Sequence, residues 1–577
     1  MSSVGPVAEI TEQPKDLIYG LADRPPLTSF LLLGFQHAAV ICPYLVMTAL
    51  VAQAAGEPFA VAHASMGMAM LGIAAMTLLQ AVRSRHFGSG YFCPPVISAI
   101  YLPAALAAAH VGGLALSAGM TLVAGMFEAA FSRLVRVLRK IFPAVVSGVI
   151  LLAVGLQLGR LGMEIVFDAK LLTSHRLGPV AWTALGTLAP MIALGVWGKG
   201  LPRLLGPLIG IVTGYLVAIP LGQIELANLA SVGSAPWVAL PSLRLAGLAF
   251  DPQLIAPFFI AGLASGLRSV GVVTTCQQIN DAAWRRPDLR NIESGVLADG
   301  VGGGLCGWLC GMGASTSPSL VGIQKTTGAT SRVLAWSVAG WLVVLACLPK
   351  FTALIVGMPK PVMGAALFFN GALMLVAGIQ IAVSRPVTFR ETLVIGISFL
   401  LASGVLIFGD FFGDLPAGWR PVFGSPLSVA VIAATGLNLV FLVGRWRYRS
   451  LRLAPGQELS PRQLDDFLTG RAKEWKLRAD DLERILATTR DALEHIGPTA
   501  TDFILIETGF DDFDVSVLFK YRGALPTLAG NARPQREMVD EQSFVIGLSG
   551  CLAGVAADRI QSSVDGDMCQ VRLLFRI

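Results

Sequence analysis

Two stretches of this sequence interrupt apolar segments of membrane length: Tyr91-Phe92-Cys93-Pro94-Pro95-Val96-Ile97-Ser98 and, in the second half of the chain, Gly313-Ala314-Ser315-Thr316-Ser317-Pro318-Ser319-Leu320-Val321-Gly322. Both place proline and small or hydroxylated residues where a spanning helix would have leucine. Unwound backbone at this depth is tolerated only when it is buried in protein or lines a watery cavity. A matched pair of such breaks predicts a substrate site between them, as in transporters built from inverted repeats.

The composition predicts a protein embedded in the lipid bilayer. The chain has 577 residues, of which 54% are hydrophobic and 14% are charged, whereas a soluble domain has about 25% charged residues. Apolar runs of about 20 residues, each long enough to cross the hydrocarbon layer, recur over residues 29–445. We count about fourteen such runs, and the two interrupted ones are the third and the tenth. The predicted fold is an all-α polytopic membrane protein.

The order of the runs predicts an inverted repeat. They divide into two sets of seven, at roughly residues 29–220 and 254–444. Because seven crossings are an odd number, the second set starts from the opposite side of the membrane. The broken segments then become two half-helices that meet near the membrane midplane, with their positive N-termini facing a shared site.

Lysine and arginine gather in alternate loops between the apolar runs. By the positive-inside rule this pattern predicts that both termini are cytoplasmic, as expected in a bacterial inner (plasma) membrane. The net charge of +6 comes from these loops, so it predicts no nucleic-acid partner. Residues 1–28 form a cytoplasmic N-terminal segment without a signal-peptide pattern. The arginines from Arg445 to Arg452 are interpreted as a stop-transfer flank, with contact to anionic lipid as the alternative.

Beyond residue 445 the chain becomes more polar, and we predict a linker over 446–461 followed by a small cytoplasmic α/β domain over 462–577. Helical periodicity covers residues 462–496. Apolar and β-branched residues predict strands at Phe503–Glu507, Val515–Phe519 and Cys569–Phe575, and a helix is predicted over Phe544–Ile560.

Arg268 is the most informative single residue. It lies about 14 residues into an apolar segment, Ile255–Cys276, so roughly 20 Å deep at 1.5 Å per residue. An arginine there costs about 2.5–3.5 kcal/mol on insertion scales and marks a functional site by default. Snorkelling toward the cytoplasmic interface is the structural alternative. Because Ser265 and Ser269 beside it are small, we predict room there for a ligand or for the close approach of another helix.

Other polar residues in the apolar runs leave alternatives open. Gln36 and His37 in the first run must be hydrogen-bonded inside the bundle, either as an interhelical strut or as a ligand contact. Glu128 in the fourth run is interpreted as the partner of a basic loop residue, with proton binding as the alternative. The glycine run Gly300–Gly307 predicts close helix packing. We find no pattern typical of a catalytic nucleophile, a metal site or a cofactor, so the sequence does not predict an enzyme.

These features resemble the nucleobase–ascorbate transporter family, the xanthine and uracil permeases, over about residues 28–445. The Gln36-His37 pair matches the family's Gln-His element, and Ala298-Asp299-Gly300 followed by Gly311 onward resembles its ninth span running into its tenth. The family signature falls on Ser319–Gly328, where the glycine, the threonine and the final glycine fit.

Departures from the family pattern fall on residues that, in the family, hydrogen-bond the base. The signature begins with Ser319 in place of Gln, Glu or Pro and Leu320 in place of Asn, and the span 8 glutamate is replaced by Arg268. No Asp or Glu occurs between Asp251 and Asp281, so this span lacks the carboxylate that the resemblance implies for proton coupling. With two half-helix N-termini converging on a guanidinium, the site is predicted to favour an anion.

The resemblance implies an elevator-like secondary transporter in which spans 1–4 and 8–11 slide against spans 5–7 and 12–14, assembled as a homodimer. The hydroxyl-rich run from Ser315 also looks like the same region of the related sulfate-permease family, which moves anions. The predicted substrate is a nucleobase-like or other small anionic solute. The predicted contacts are Gln36, His37, Phe92, Cys93, Pro94, Ser265, Arg268, Ser269, Thr316, Ser317 and Ser319.

Two alternatives stay open at this point. The first is an ordinary proton-coupled uracil or xanthine symporter rebuilt around Arg268. The second is a transporter-derived membrane sensor that signals through the C-terminal domain. On Asp491-Ala492-Leu493-Glu494-His495 and Asp558-Arg559-Ile560, that domain resembles a degenerate histidine-kinase-like ATPase of the anti-sigma kinase type. Because it lacks an Asp-x-Gly-x-Gly loop, the resemblance implies a regulatory or dimer-stabilising role rather than nucleotide hydrolysis.

Overall fold

The computed structural model describes residues 13–82, 84, 86–138, 143–167, 177–224, 230, 232–241, 247–284, 287–383, 387–416, 419–442, 449–453, 461–475, 477, 479–510, 514–523, 557, 559–565 and 568–576. The chain forms two compact units, over Met1–Leu439 and Val440–Ile577. The first unit is helical apart from two short strands, and the second contains helices and a sheet.

The first part of the helical unit alternates long apolar helices with short connections. Its elements are α1 (Leu27–Ile41), α2 (Val46–Ala54), α3 (Phe59–Ala81), β1 (Pro95–Ile97), α4 (Leu102–Leu138), α5 (Ala144–Val166), α6 (Leu177–Trp197), α7 (Leu201–Leu204) and α8 (Gly206–Ala218). Non-helical backbone at Gly112 and Gly113 divides α4 into a short helix after β1 and a longer helix. Gly113 has a φ of 69°, which a residue with a Cβ rarely adopts.

The second part repeats the arrangement of a short strand followed by a short helix. Its elements are α9 (Ile255–Asn280), α10 (Leu289–Cys310), β2 (Ala314–Thr316), α11 (Pro318–Thr327), α12 (Leu334–Ala346), α13 (Pro349–Val356), α14 (Lys360–Ala382), α15 (Phe389–Ile407), α16 (Gly409–Gly413), α17 (Arg420–Phe423) and α18 (Pro426–Leu442). Gly311 ends α10 in the left-handed conformation, with a φ of 75°.

The two interrupted segments meet in space. β1 and β2 pair antiparallel over three residues each, with Val96 opposite Ser315. The N–H of Ser98 donates to the carbonyl of Gly313 at 2.9 Å and extends this pairing. The unwound backbone thus finds hydrogen-bond partners inside the protein, as a membrane-embedded break requires. One short helix follows each strand, so the predicted half-helices are present.

Eight of the described helices are long and apolar enough to cross a membrane. The pair α12 and α13, which is bent by 80°, gives a ninth span if it is taken as one, and α8 and α18 are shorter apolar helices. The protein is therefore a predominantly helical, multi-pass membrane protein. The total of fourteen spans stays a prediction.

The helices of this unit pack as two groups, one of α1–α4 with α9–α13 and one of α5–α8 with α14 and α15. An extensive contact in the first group joins α4 to α10, where a Cβ at Gly125 would lie 2.5 Å from the carbonyl oxygen of Gly300. In the second group α5 meets α14, where a Cβ at Gly155 would lie 2.7 Å from that of Gly371. The close packing predicted for the glycine run of α10 is therefore present.

The C-terminal unit is a five-stranded antiparallel sheet in the order β3-β4-β5-β7-β6, and two helices cover one face of it. Its elements are β3 (Arg449–Leu453), α19 (Pro461–Trp475), α20 (Ala479–Ile496), β4 (Ala500–Phe510), β5 (Asp514–Gly523), β6 (Arg559–Asp565) and β7 (Met568–Arg576). The core contains apolar residues from both helices and from one side of β4, β5 and β7.

Most of the predicted elements of this unit are present. The strands predicted at Phe503–Glu507, Val515–Phe519 and Cys569–Phe575 are parts of β4, β5 and β7, and the predicted helical region forms α19 and α20. The helix predicted over Phe544–Ile560 is wrong at its end, because β6 begins at Arg559 and pairs with β7. Residues 544–556 of that prediction lie outside the described residues.

β3 falls where the sequence predicted a basic flank and a linker. It is the edge strand beside β4, with Leu451 opposite Ile506. The guanidinium of Arg452 lies 3.9 Å from the ring centroid of Phe503 on the neighbouring strand. Charged residues are common on edge strands, so a basic stretch hides this strand in the sequence. The sheet thus begins inside residues 446–461.

Candidate functional site

Asp299 of α10 is fully buried where the two broken segments meet. Its Oδ1 accepts a hydrogen bond from the backbone N–H of Thr316 at 2.9 Å. Its Oδ2 accepts from the hydroxyl of Ser315 at 2.9 Å and from that of Ser269 at 2.5 Å, with Ser265 further away at 3.5 Å. A carboxylate buried in protein needs such donors in place of water.

These contacts connect four elements of the helical unit. The hydroxyls of Ser269 and Thr316 lie 2.8 Å apart, which joins α9 to β2. From α3, Gln80 Nε2 donates to the carbonyl of Gly295 at 2.9 Å and to Asp299 at 3.4 Å. The structure therefore brings together three of the predicted substrate contacts (Ser265, Ser269 and Thr316), and their polar groups hold Asp299.

Arg268 lies beside this carboxylate. It is 6% exposed, and its ionisable neighbours are Asp299, Glu128, Tyr44 and Tyr101. Its Nε and Nη2 atoms have no hydrogen-bond partner among the residues that the structure describes. The side chain thus stays inside the protein, with a counter-charge nearby and one edge of its guanidinium unpaired.

The start of α11 forms another side of the site. Ser317 is buried, and its N–H donates to the carbonyl of Pro94 at 3.2 Å. Ser319, in the first turn, is exposed. The phenol of Tyr44 lies beside both Ser319 and Arg268. The first N–H groups of a helix have no partner within it, so this end of α11 can receive an acceptor.

The polar pair of the first helix approaches the first broken segment. Gln36 is buried, and the ring of His37 lies 4.9 Å from that of Phe92. His37 Nδ1 lies 2.8 Å from the carbonyl of Leu33, and its Nε2 has no hydrogen-bond partner in the described part of the chain. Gln324 Nε2 donates to the carbonyl of Phe92 at 2.6 Å. His37 is thus both packed against Phe92 and able to make one further contact.

Cys93 packs against the far part of α9. Its Sγ lies 3.1 Å from Sγ of Cys276, in a small apolar cluster. Cys276 follows Arg268 by eight residues along α9, which corresponds to about 12 Å. The thiol of Cys93 therefore has an apolar, packed environment.

Sequence reasoning missed two carboxylates of this site. Asp299 was noted only as part of a family pattern, and Glu128 was paired with a loop cation. That pairing is wrong: Glu128 is fully buried in α4, and its Oε2 accepts from the hydroxyl of Tyr101 at 2.9 Å. Each is an isolated carboxylate in a helix of membrane length, and this signal alone would have marked both as site candidates.

The fold and the site define a multi-pass membrane transporter, and comparison with known proteins identifies the family. Residues 28–409 match the model of the Permease family of xanthine and uracil permeases. The chain belongs to this family, and it is a permease rather than an enzyme.

The relatives cover most of the helical unit. A putative purine permease of Clostridium perfringens is 30% identical over 427 residues, which are 74% of this chain and 93% of the relative. The xanthine permease XanQ of Escherichia coli is 26% identical over 472 residues, which are 78% of this chain and 98% of the relative. The solved structure of SLC26A9 has a TM-score of 0.50 at 13% identity, covering 80% of this chain and 77% of that one, and shows likeness of fold alone.

Proposed function

We propose that this protein is a secondary transporter of an oxopurine, such as xanthine or urate, and that Arg268 contacts the substrate. The observation that carries the proposal is a guanidinium, 6% exposed, whose Nε and Nη2 no described residue bonds. A buried donor without a partner is costly, so the site gains most from a ligand that supplies acceptors there. The names of the purine and xanthine permease relatives agree with this substrate class.

The shape of the free edge favours a purine over a pyrimidine. The Nε–H and one Nη2–H of a guanidinium point in the same direction and form a fork that binds two neighbouring acceptors. Xanthine in its N9–H form has an oxo group at C6 beside an unprotonated N7 and offers such an edge, the one that arginine reads in guanine. Urate carries a hydrogen on N7, and its anion offers the C2 oxo group beside the deprotonated N3 instead. Uracil has an N–H between its two carbonyl groups, so it presents no neighbouring acceptor pair. We therefore expect uracil to bind more weakly.

The charge of the site is less positive than the sequence predicted. The expected preference for an anion was based on Arg268 alone, because its own helix has no carboxylate. Asp299 from α10 and Glu128 from α4 lie beside the guanidinium and oppose its charge. We infer that the acceptor geometry of the ligand, more than its net charge, determines binding at Arg268.

A small oxyanion such as a carboxylate is the second candidate. The exposed Ser319 in the first turn of α11 favours it, because helix N-termini bind anions and Tyr44 lies beside the same residue. A carboxylate also presents two neighbouring acceptors to an arginine fork. Competition between the two ligand classes distinguishes the candidates.

We further propose an elevator-like movement of the group α1–α4 with α9–α13 against the group α5–α8 with α14 and α15. The support is that each group has its own glycine-lined contact, at Gly125 with Gly300 and at Gly155 with Gly371, so each can move as a body. A homodimer in the bacterial inner membrane, with both termini cytoplasmic, completes the proposal; its support is the pattern of basic loops and the family resemblance.

The test is xanthine counterflow in proteoliposomes that contain the full chain, with urate, uracil and benzoate as competitors. We expect urate to compete and uracil to be at least about tenfold weaker, because a good bidentate pair is worth about 1–3 kcal/mol. Arg268→Lys keeps the charge beside Asp299 but removes the fork, and it should weaken xanthine binding to a similar extent.

The matched control is Arg160→Lys. Arg160 also lies in a helix of membrane length, but it is 43% exposed, pairs with Glu164 at 2.6 Å and lies in the other helix group. This variant should leave xanthine affinity unchanged. Equal competition by uracil and urate, or normal xanthine affinity in Arg268→Lys, would contradict the assignment, whereas strong competition by benzoate alone would favour the second candidate.

A further inference from the structure

We infer that Glu128 is the residue that takes up and releases the proton that accompanies the substrate. This inference rests on the proposed transport function. It assigns the coupling proton to α4, whereas α9, which carries Arg268, contains no carboxylate.

The first observation is the poor hydrogen bonding of Glu128. Its side chain is fully buried. Its Oε2 accepts from Tyr101 at 2.9 Å, and its Oε1 has no donor among the described residues. An ionised carboxylate only accepts hydrogen bonds, and a buried one with a single donor is poorly stabilised.

The second observation is that the two buried carboxyl groups of the site have unequal surroundings. Asp299 accepts from one backbone N–H and two hydroxyls within 2.9 Å, whereas Tyr101 is the one donor to Glu128 among the described residues. A buried carboxyl group with few donors is the one better suited to hold a proton. Of the two, Glu128 is therefore the proton-carrying group that we propose.

The third observation is the set of groups that face Glu128. Arg268 from α9 and Asp299 from α10 are the charged ones, and Tyr101, just before α4, is the phenol. The sequence of α2, which also packs on α4, has no ionisable residue. Gly266 of α9 faces Glu128, where an added Cβ would lie 3.5 Å from its Cγ, so this glycine leaves room for the carboxyl group.

These groups make protonation a change of net charge. Arg268, Asp299 and an ionised Glu128 together carry one negative charge, and uptake of one proton by Glu128 makes the group neutral. The one bond that changes is an O–H bond on the Glu128 carboxyl group. It forms on one side of the membrane and breaks on the other. Because a buried uncompensated charge is costly, the neutral form is the one suited to cross with its substrate. One substrate molecule should then move with one proton through this residue.

The test uses proteoliposomes of the full chain and labelled xanthine, with a pH-sensitive dye inside. In the wild type, an inward proton gradient of one pH unit should drive up to about tenfold accumulation, since one unit corresponds to a factor of ten for one coupled proton. Glu128→Gln should lose this accumulation and the accompanying proton flux. Its xanthine counterflow, which needs no net proton movement, is measured alongside to show whether the variant still transports. Glu164→Gln, which changes a half-exposed glutamate of α5, is the matched control and should behave as the wild type.

The outcomes separate this inference from the proposed function. No xanthine or urate counterflow in the wild type means that the proposed function fails. Counterflow in the wild type together with net uptake that carries no proton flux, or gradient-driven accumulation that survives in Glu128→Gln, overturns the inference alone. If Glu128→Gln loses counterflow as well, the pH dependence of uptake by Tyr101→Phe tests the inference instead. Loss of the hydroxyl that stabilises the Glu128 carboxylate should move the pH of half-maximal uptake upward, and an unchanged pH profile would overturn the inference.

Discussion

The carboxylate of Asp299 accepts a hydrogen bond from the backbone N–H of Thr316 at 2.9 Å, and this bond joins a long helix to an unwound segment inside the membrane-spanning unit. Thr316 is the last residue of β2 and directly precedes the turn into α11. The same carboxylate accepts from Ser269, the residue next to Arg268 in α9. Asp299 therefore connects the break to the helix that carries Arg268.

Asp299→Asn tests this double role. The amide loses the negative charge beside Arg268 and replaces one acceptor oxygen with a donor that faces hydroxyl groups. A buried hydrogen-bonding group left without its partner costs about 1–3 kcal/mol, so we expect a clear fall in the melting temperature of the purified protein and loss of xanthine binding.

The control for this variant is Asp251→Asn. Asp251 accepts from the N–H of Gln253 as a helix cap, and asparagine caps helices about as well as aspartate. This variant should melt with the wild type. A melting temperature for Asp299→Asn that equals that of Asp251→Asn would show that the buried carboxylate does not stabilise the unit.

Gly300→Ala tests the close contact of α4 with α10. A Cβ at Gly300 would lie 2.6 Å from the backbone nitrogen of Ala129, so the two helices would have to separate. Overpacking of this kind costs about 1–3 kcal/mol, and a thermal melt should show the loss. In the matched variant Gly271→Ala, in α9, the Cβ would meet nothing within 4 Å, and the better helix propensity of alanine should leave stability equal or higher. The opposite order of the two melting temperatures would contradict the packing.

Cys93 and Cys276 should form a disulfide on mild oxidation with copper phenanthroline. Their Sγ atoms are 3.1 Å apart, and Cys93 directly precedes the proline pair before β1. The expected product is an intramolecular linkage between the two cysteine peptides, detected by mass spectrometry and absent in Cys276→Ser. Cys306 and Cys310 serve as the internal control, because both lie one turn apart on α10 and the thiol of Cys310 already donates to the carbonyl of Cys306 at 3.1 Å. Failure of the first pair to link would mean that the first broken segment is not held against α9.

The sequence revealed the broken segments because their chemistry is local. Proline and hydroxylated residues at membrane depth have few structural explanations, and the structure pairs the two breaks as β1 and β2. The depth of Arg268 likewise followed from its position in one apolar run. Local composition was sufficient for these features.

The charge of the site could not be predicted from one segment, because it depends on how three helices pack. Arg268, Asp299 and Glu128 come from α9, α10 and α4, and they meet only after these helices approach through glycines such as Gly300. A count of charges along α9 alone therefore overstated the preference for an anion. β3 was missed for a related reason, since the partner that makes Arg449–Leu453 a strand lies about 50 residues further along the chain.

The most direct test of the account is a thermal-shift measurement of the purified full chain with xanthine, using the wild type and Arg268→Ala. A bound ligand raises stability by RT ln(1 + [L]/Kd), about 2.7 kcal/mol at a hundredfold excess over Kd. We predict that xanthine raises the melting temperature of the wild type and leaves that of Arg268→Ala unchanged. An equal rise in both proteins would contradict the assignment of Arg268 as the substrate contact.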